Sequence, residues 1–242
     1  MVFCIRAPIF AEGSEWPTDI GQNLNSMGVP IEIGLPFDFR HFQTIKQWLP
    51  RLADEIRDHF VPCLSVHAPE GLVVGSHPDD FLTWARSVRE FAVRVGAKVI
   101  VFHPVRAIST SYSECLKILS SNIKALQQES RAADVVLETF KGGQYFSYED
   151  IIAAGLPICL DTSHMSHKEA LTVVERHHDQ MRHVHLSRAT DDMTHIPVKK
   201  RGISIIKRLA EYQWSGTVCL EYLDWYAEEM IKDCHRFVNI FG

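Results

Sequence analysis

The chain has no CxxC pair among its six cysteines, no dense basic tract beyond Lys199-Lys200-Arg201, and no apolar stretch near the roughly 18 residues that suggest a membrane span. The opening MVFCIRAPIFAEG carries an apolar run too short for a secretory signal, and Arg6 interrupts it. Cys4, Cys63, Cys159 and Cys219 lie in or beside strand-like runs, where they act as small apolar residues. The expectation from these absences is a cytoplasmic protein without a membrane partner. A formal net charge of −5 argues against tight nucleic-acid binding, which usually needs a broad basic surface. No linker, low-complexity segment or charge block marks a boundary, so residues 1–242 read as one domain.

What is present is more specific. Six short apolar runs end on side chains that bind metals: LSVH (His67), VIVFH (His103), VVLE (Glu138), ICLD (Asp161), HVH (His185) and VCLE (Glu221). Runs of Val, Ile, Leu and Cys of this length read as strands buried on both faces, the pattern of parallel sheets. In a (β/α)8 barrel all strands aim their C-terminal ends at one mouth, so residues far apart in sequence converge there.

Strands are expected at 2–6, 30–34, 62–67, 98–103, 134–139, 157–161, 182–186 and 217–222. Helical spacing marks 40–58, 79–95 and 114–131, with shorter helices at 147–154, 167–178, 199–213 and 225–238. Gly96, and Gly155 with Pro157, mark helix stops. Alternation from end to end in a chain of 242 residues implies an α/β fold, a single (β/α)8 TIM barrel. The alternative, a doubly wound open sheet, lacks the Gly-rich GxGxxG turn after the first strand.

Asp161-Thr-Ser-His164 is the densest local signal: a strand-end carboxylate and an imidazole three residues on face one side if the chain turns there. With Glu138, His185 and Glu221 it makes a mixed nitrogen and oxygen pocket suited to Zn²⁺, Mn²⁺ or Fe²⁺ rather than Mg²⁺. His67 and His103 would serve a second ion, and His195, in the loop DDMTHIPV, a third. Arg6, Arg106, Lys141 and Arg188 fall at or just beyond strand ends and would suit a small anionic substrate such as a sugar phosphate or sugar acid.

The ordered motifs VHAPE, FHP, LET, DTSH, HVHLS, THIP and LEY resemble the xylose isomerase-like TIM barrels, a superfamily that also holds the endonuclease IV class, the family 2 apurinic endonucleases. In the endonuclease branch the resemblance implies a trinuclear zinc site of His67, His103, Glu138, Asp161, His164, His185, His195 and Glu221. Its remaining aspartate would fall on Met193, with Asp191 and Asp192 out of register. In the isomerase and epimerase branch it implies one Mn²⁺-type ion on Glu138, Asp161, His185 and Glu221. The endonuclease branch has an aromatic wedge after its HAP motif, where this chain has Glu70. It also has a Gly-Glu-Gly type loop, where this chain has Val198-Lys199-Lys200-Arg201-Gly202.

Simpler roles compete for some of these side chains. His183 shares a strand face with His185, one layer deeper. His41, His59, His77, His177, His178 and His235 fall on expected helices or loops, where water would solvate them. Each of the four cations also fits an ordinary loop charge. Trp48, Phe81, Trp84 and Phe91 suit the layer between helices and barrel. The function expected is a divalent-metal-dependent isomerase or epimerase of a small sugar or sugar phosphate, with one to three ions. Glu138 and Glu221 would be its acid and base, and the metal would polarise the carbonyl and stabilise an enediolate. The alternative is zinc-dependent phosphoester hydrolysis.

Overall fold

In this computed structural model the described residues are 1–8, 25–35, 46–59, 61–69, 71–75, 78–129 and 132–242. Eight parallel strands close into a barrel: β1 Val2–Pro8, β2 Ile31–Gly34, β3 Cys63–His67, β4 Val99–Phe102, β5 Asp134–Glu138, β6 Ile158–Asp161, β7 Met181–Leu186 and β8 Thr217–Leu220. Each strand pairs with its neighbours in sequence, and β8 returns to β1 with Cys4 opposite Cys219. Seven α-helices among the described residues follow in the connections: α1 Leu49–Asp58, α2 Pro78–Arg94, α3 Tyr112–Glu129, α4 Tyr148–Ala153, α5 His167–His177, α6 Lys200–Glu211 and α7 Ala227–Phe241. None is long and apolar enough to cross a membrane.

The strand alternation explains the sequence pattern. One set of positions faces the helices and joins the main core, including Phe3 and Ile5 of β1, Ile100 and Phe102 of β4, Leu137 of β5 and Leu160 of β6. The intervening set points into the barrel, where Val99, Val101, Val136 and Cys159 form a separate small apolar cluster. The metal-ligand side chains continue this inward set: Glu138 is two residues beyond Val136, and Asp161 two beyond Cys159. Each large core side chain, such as Phe81, Phe91 or Phe146, contributes about 1.5–3 kcal/mol through burial.

Local chemistry sets the element ends. Ser166 caps α5 in a reciprocal capping box with Glu169, and Ser147 caps α4 by accepting from Asp150 N. Gly96 (φ +78°) and Gly155 (φ +67°) stop α2 and α4 in the left-handed conformation, as their placement after helical patterns implied. The first long helix is shorter than 40–58: a 3-10 turn occupies Lys46–Trp48 ahead of α1, and residues 40–45 lie outside the described set. Phe81, Trp84 and Phe91 are core as expected, whereas Trp48 is half-buried.

Several strand ends differ from those expected. His103 and Glu221 stand one residue past the ladders of β4 and β8, still at the mouth. β1 runs on to Pro8, so Arg6 sits inside the barrel wall and not at a strand end. A two-stranded parallel ribbon, Val73–Val74 with Val105–Arg106, adds to the loops after β3 and β4.

Candidate functional site

The strand-end side chains form one buried cluster at the C-terminal mouth. Glu138, the last residue of β5, is its centre: Oε2 lies 3.1 Å from His67 Nε2 and 3.3 Å from His103 Nε2. Its Oε1 lies 3.4 Å from His164 Nε2 and 3.6 Å from His185 Nδ1. Asp161 Oδ2 is 3.1 Å from the same His164 nitrogen. Glu221 Oε2 is 3.0 Å from His185 Nδ1 and 3.7 Å from His195 Nδ1. All eight side chains expected to converge are therefore linked through contacts of 3.0–3.7 Å.

Local structure brings each ligand in. Asp161 Oδ1 accepts from Ser163 N at 2.6 Å, an Asx turn that folds the chain back and returns His164 to the cluster. Thr139 Oγ1 accepts from Asp161 N at 3.0 Å, and Thr162 Oγ1 donates to Ser187 O at 2.7 Å, tying β5, β6 and β7 together at the mouth. His195 has φ +53°, a left-handed backbone, and its carbonyl accepts from Leu223 N at 2.8 Å. An antiparallel bridge between Arg188 and Ile196 anchors the same loop. The loop therefore has two ties that hold His195 over the site.

Electrostatics divide the cluster. Burial opposes ionisation of Glu138, but His103 and His185 outweigh it and hold its carboxyl well below the usual range. Glu221 is likewise lowered, by His185 and Arg6 against burial. Asp161 behaves oppositely: burial, reinforced by Glu138 and Glu221, pushes it up to about 8 despite His164. His164 is raised to about 9, because Asp161 and Glu138 overcome its burial, so this pair keeps a proton. Burial and the adjacent His67 lower His103 to about 3. A neutral imidazole is the form that binds metals.

The donor set fits a divalent cation. Asp161 Oδ2, Glu221 Oε2 and His185 Nδ1 are buried without a properly aligned hydrogen bond, and all three point into the cluster. Contacts of 3.0–3.6 Å between donor atoms match the ~3.3 Å edges of a tetrahedron with metal bonds of ~2.0–2.1 Å. Three sets of donors mutually within 4.8 Å arise from these residues: His67, His103 and Glu138; His67, His185 and Glu221; Asp161, His164 and His195. None of these three sets joins Glu138, Asp161, His185 and Glu221: His185 and Glu221 share one with His67, while Glu138 and Asp161 fall in the other two.

A model of the family described as the xylose isomerase-like TIM barrel matches residues 25–238. The chain belongs to this family. Solved structures share its fold along nearly all of its length. They include the 3-keto-D-glucoside 4-epimerase YcjR from E. coli (14% identity, 99% of each chain covered, TM-score 0.67). A D-tagatose 3-epimerase-like protein matches at 19% identity over 99% of each chain, TM-score 0.68. An AP endonuclease of family 2 from Brucella melitensis matches at 14% identity over 95% of this chain and 100% of its own, TM-score 0.66. No curated protein matches the sequence. At these identities the likeness is one of fold, and the structures include both epimerases and an endonuclease.

The four expected substrate cations of this family member have different surroundings. Arg6 is buried, 2.9 Å from Glu32 Oε1 and 3.3 Å from Glu221 Oε1. Lys141 pairs with Glu169 at 2.9 Å. Arg106 donates to the carbonyls of Gly143 and Tyr145 and lies over the Tyr112 ring. Arg188 lines a cavity of about 170 Å³ with Thr162, Ser166, Ser187 and Lys199. Glu70 lies outside the described residues, as do His41 and His77; Met193, Asp191 and Asp192 are exposed on the loop that carries His195.

Sequence reasoning missed Glu32, on β2. It is fully buried, touches Arg6, Ser65, His183 and His185, and is held well below the usual carboxylate range by His185 and His183 against its burial. The available signal was a carboxylate inside the apolar run VPIEIG, where an unpaired charge would be costly. Phe140 was missed too. Its ring packs 4.4 Å from that of His164 and 4.1 Å from that of Tyr145, forming an aromatic wall beside the cluster.

Proposed function

We propose that this protein is a divalent-metal-dependent isomerase or epimerase acting on a small sugar or sugar derivative, at a site built on Glu138, Asp161, His185 and Glu221. The observation that carries this reading is the convergence of two carboxylates on one imidazole nitrogen: Glu138 and Glu221 lie 3.6 and 3.0 Å from His185 Nδ1. When bound, a divalent cation would supply positive charge to a substrate carbonyl oxygen. Two anionic carboxylates from separate strands can then serve a proton transfer at the neighbouring carbon, one taking the proton and the other, once protonated, returning it. Glu221 is the more accessible, at 13% against 3% for Glu138, so its carboxylate is the better placed to exchange with substrate. Phe140 and Tyr145 offer an apolar wall to a sugar face. Arg188 and Lys199 would receive an anionic group on the substrate.

The test is solvent exchange. Metal-loaded protein is incubated in D2O with a panel of ketoses, aldoses and their phosphates, and deuterium at the carbon beside the carbonyl is followed by NMR. Exchange is expected with at least one class, and it should fall at least about 100-fold in Glu221→Gln. Absence of exchange across the panel, on protein shown to hold its metal, would sink the isomerase reading.

A second reading rests on a different observation. His67 and His103 join Glu138 in a separate donor set, more nitrogen than a single-ion site needs. Two or three ions would suit phosphoester hydrolysis, in which cations activate water and stabilise the leaving oxygen. Elemental analysis separates the two readings: one ion per chain supports the isomerase, two or three the hydrolase.

A further inference from the structure

Beneath the mouth cluster lies a buried ionic layer centred on Glu32. Its Oε1 is 2.9 Å from Arg6 Nη1, and Ser65 Oγ donates to its Oε2 at 2.7 Å. His183 Nε2 lies 2.8 Å from Oε2, and His185 Nε2 lies 3.1 Å from Oε1. Arg6 also reaches up to Glu221 Oε1 at 3.3 Å. An isolated carboxylate at this depth would be very costly, so this one requires its surrounding donors.

Glu32, His183 and Cys219 also offer donor atoms within 4.8 Å of one another, the outline of a deeper metal site. The guanidinium of Arg6 already supplies a cation to Glu32, and a second one would face it in a buried space. The layer is therefore better explained as support for the site above it.

The two nitrogens of His185 have different partners. Nε2 faces Glu32, whereas Nδ1 faces Glu221 and Glu138. An imidazole can coordinate through one nitrogen only when its proton is on the other, and an ionised carboxylate accepts hydrogen bonds but donates none. Glu32 thus keeps a proton on Nε2, so a metal entering at the mouth would displace only the Nδ1 proton, the one that faces Glu221 and Glu138. Arg6 acts in parallel on Glu221: held by Oε1, that carboxylate presents Oε2 to the cluster.

We infer that Glu32 and Arg6 form a positioning pair, which selects Nδ1 of His185 as the metal-binding nitrogen and orients Glu221 beside it. The inference rests on the metal-site reading of the mouth cluster. Outer partners of this kind typically change metal affinity 10- to 100-fold when removed.

The experiment uses the full chain labelled with ¹⁵N-histidine and zinc as the probe. In zinc-loaded wild type, the His185 resonances, assigned by their loss in His185→Asn, should show metal at Nδ1 and a slowly exchanging downfield proton on Nε2. Coordination through Nε2 would overturn the inference, and this measurement needs no variant of Glu32 to fold. Zinc affinity by chelator competition is the second arm. Glu32→Gln should weaken zinc by about 10- to 100-fold while near-ultraviolet circular dichroism stays native. Ile56→Val, which loosens packing outside the barrel, should leave zinc affinity unchanged. Equal affinity in wild type and Glu32→Gln would overturn the inference. Should wild type take up no zinc, the metal-site reading fails on its own. The Nε2 proton in the metal-free protein then decides the remaining claim, which is lost if that signal is unshifted by Glu32→Gln.

Discussion

Asp161→Asn gives the sharpest test of the mouth cluster, because it should act in opposite directions with and without metal. Asp161 is fully buried, and in the metal-free protein its carboxyl is pushed up to about 8 by burial and by Glu138 and Glu221. A group with a raised folded pKa stabilises the fold most below its unfolded value, near 3.8, and loses that contribution as pH rises through about 8. Asparagine has no such proton to lose. Between pH 4 and 8, then, metal-free Asp161→Asn should gain steadily in melting temperature relative to metal-free wild type. With metal the order should invert. An ion at ~1,000 times its Kd stabilises the native state by about 4 kcal/mol. At ~2.1 cal/mol/K per residue of unfolding entropy, a chain of 242 residues should then melt about 8 °C higher. Asparagine removes one anionic donor and should forfeit most of that rise. The assay is differential scanning calorimetry on chelator-treated protein, with and without saturating Zn²⁺ or Mn²⁺, at several pH values. If wild type and Asp161→Asn show the same metal-dependent rise, Asp161 is no ligand. If no divalent ion raises the wild-type melting temperature, the convergence of donors has been misinterpreted.

Three further outcomes are expected. Ser166→Ala breaks the reciprocal cap of α5 and should cost about 1 kcal/mol in urea denaturation at pH 7; Glu169 is held at about 2 by Ser166 and Lys141, so the cap's contribution should fade as pH drops from about 4.5 toward 2. An unchanged midpoint would show that the cap is not formed in solution. Gly34→Ala would place a methyl group 2.6 Å from Arg6 Nε, and Arg6 is held by Glu32 and Glu221, so a loss of about 1–3 kcal/mol with weaker metal binding should follow; native stability would show that the floor yields easily. A duplex carrying an abasic analogue should be cut little or not at all, given the net charge of −5 and the cost of opening a duplex; metal-dependent nicking that disappears in Glu138→Ala would make hydrolysis the leading function.

The barrel and most of its mouth were legible in the sequence because both are written in local periodicity. A run such as ICLD alternates helix-facing Ile158 and Leu160 with inward Cys159 and Asp161, so a strand-end ligand in phase with small interior residues already says where it points. The glycine stops after α2 and α4 are equally local, since their hydrogen bonds span only a few residues. Tertiary structure alone decided the partners of charged side chains, because no sequence period links residues 26 or 153 positions apart, as Arg6 and His185 are from Glu32. Arg6 looked like a mouth cation and is instead an internal counter-ion, because β1 extends past it and the closed barrel brings β2 alongside. Lys141, expected to face a substrate, meets Glu169 only because α5 packs where it does. The two nitrogens of His185 likewise gain their different partners only through closure of the barrel, which places Glu32 beside Nε2 and Glu138 and Glu221 beside Nδ1.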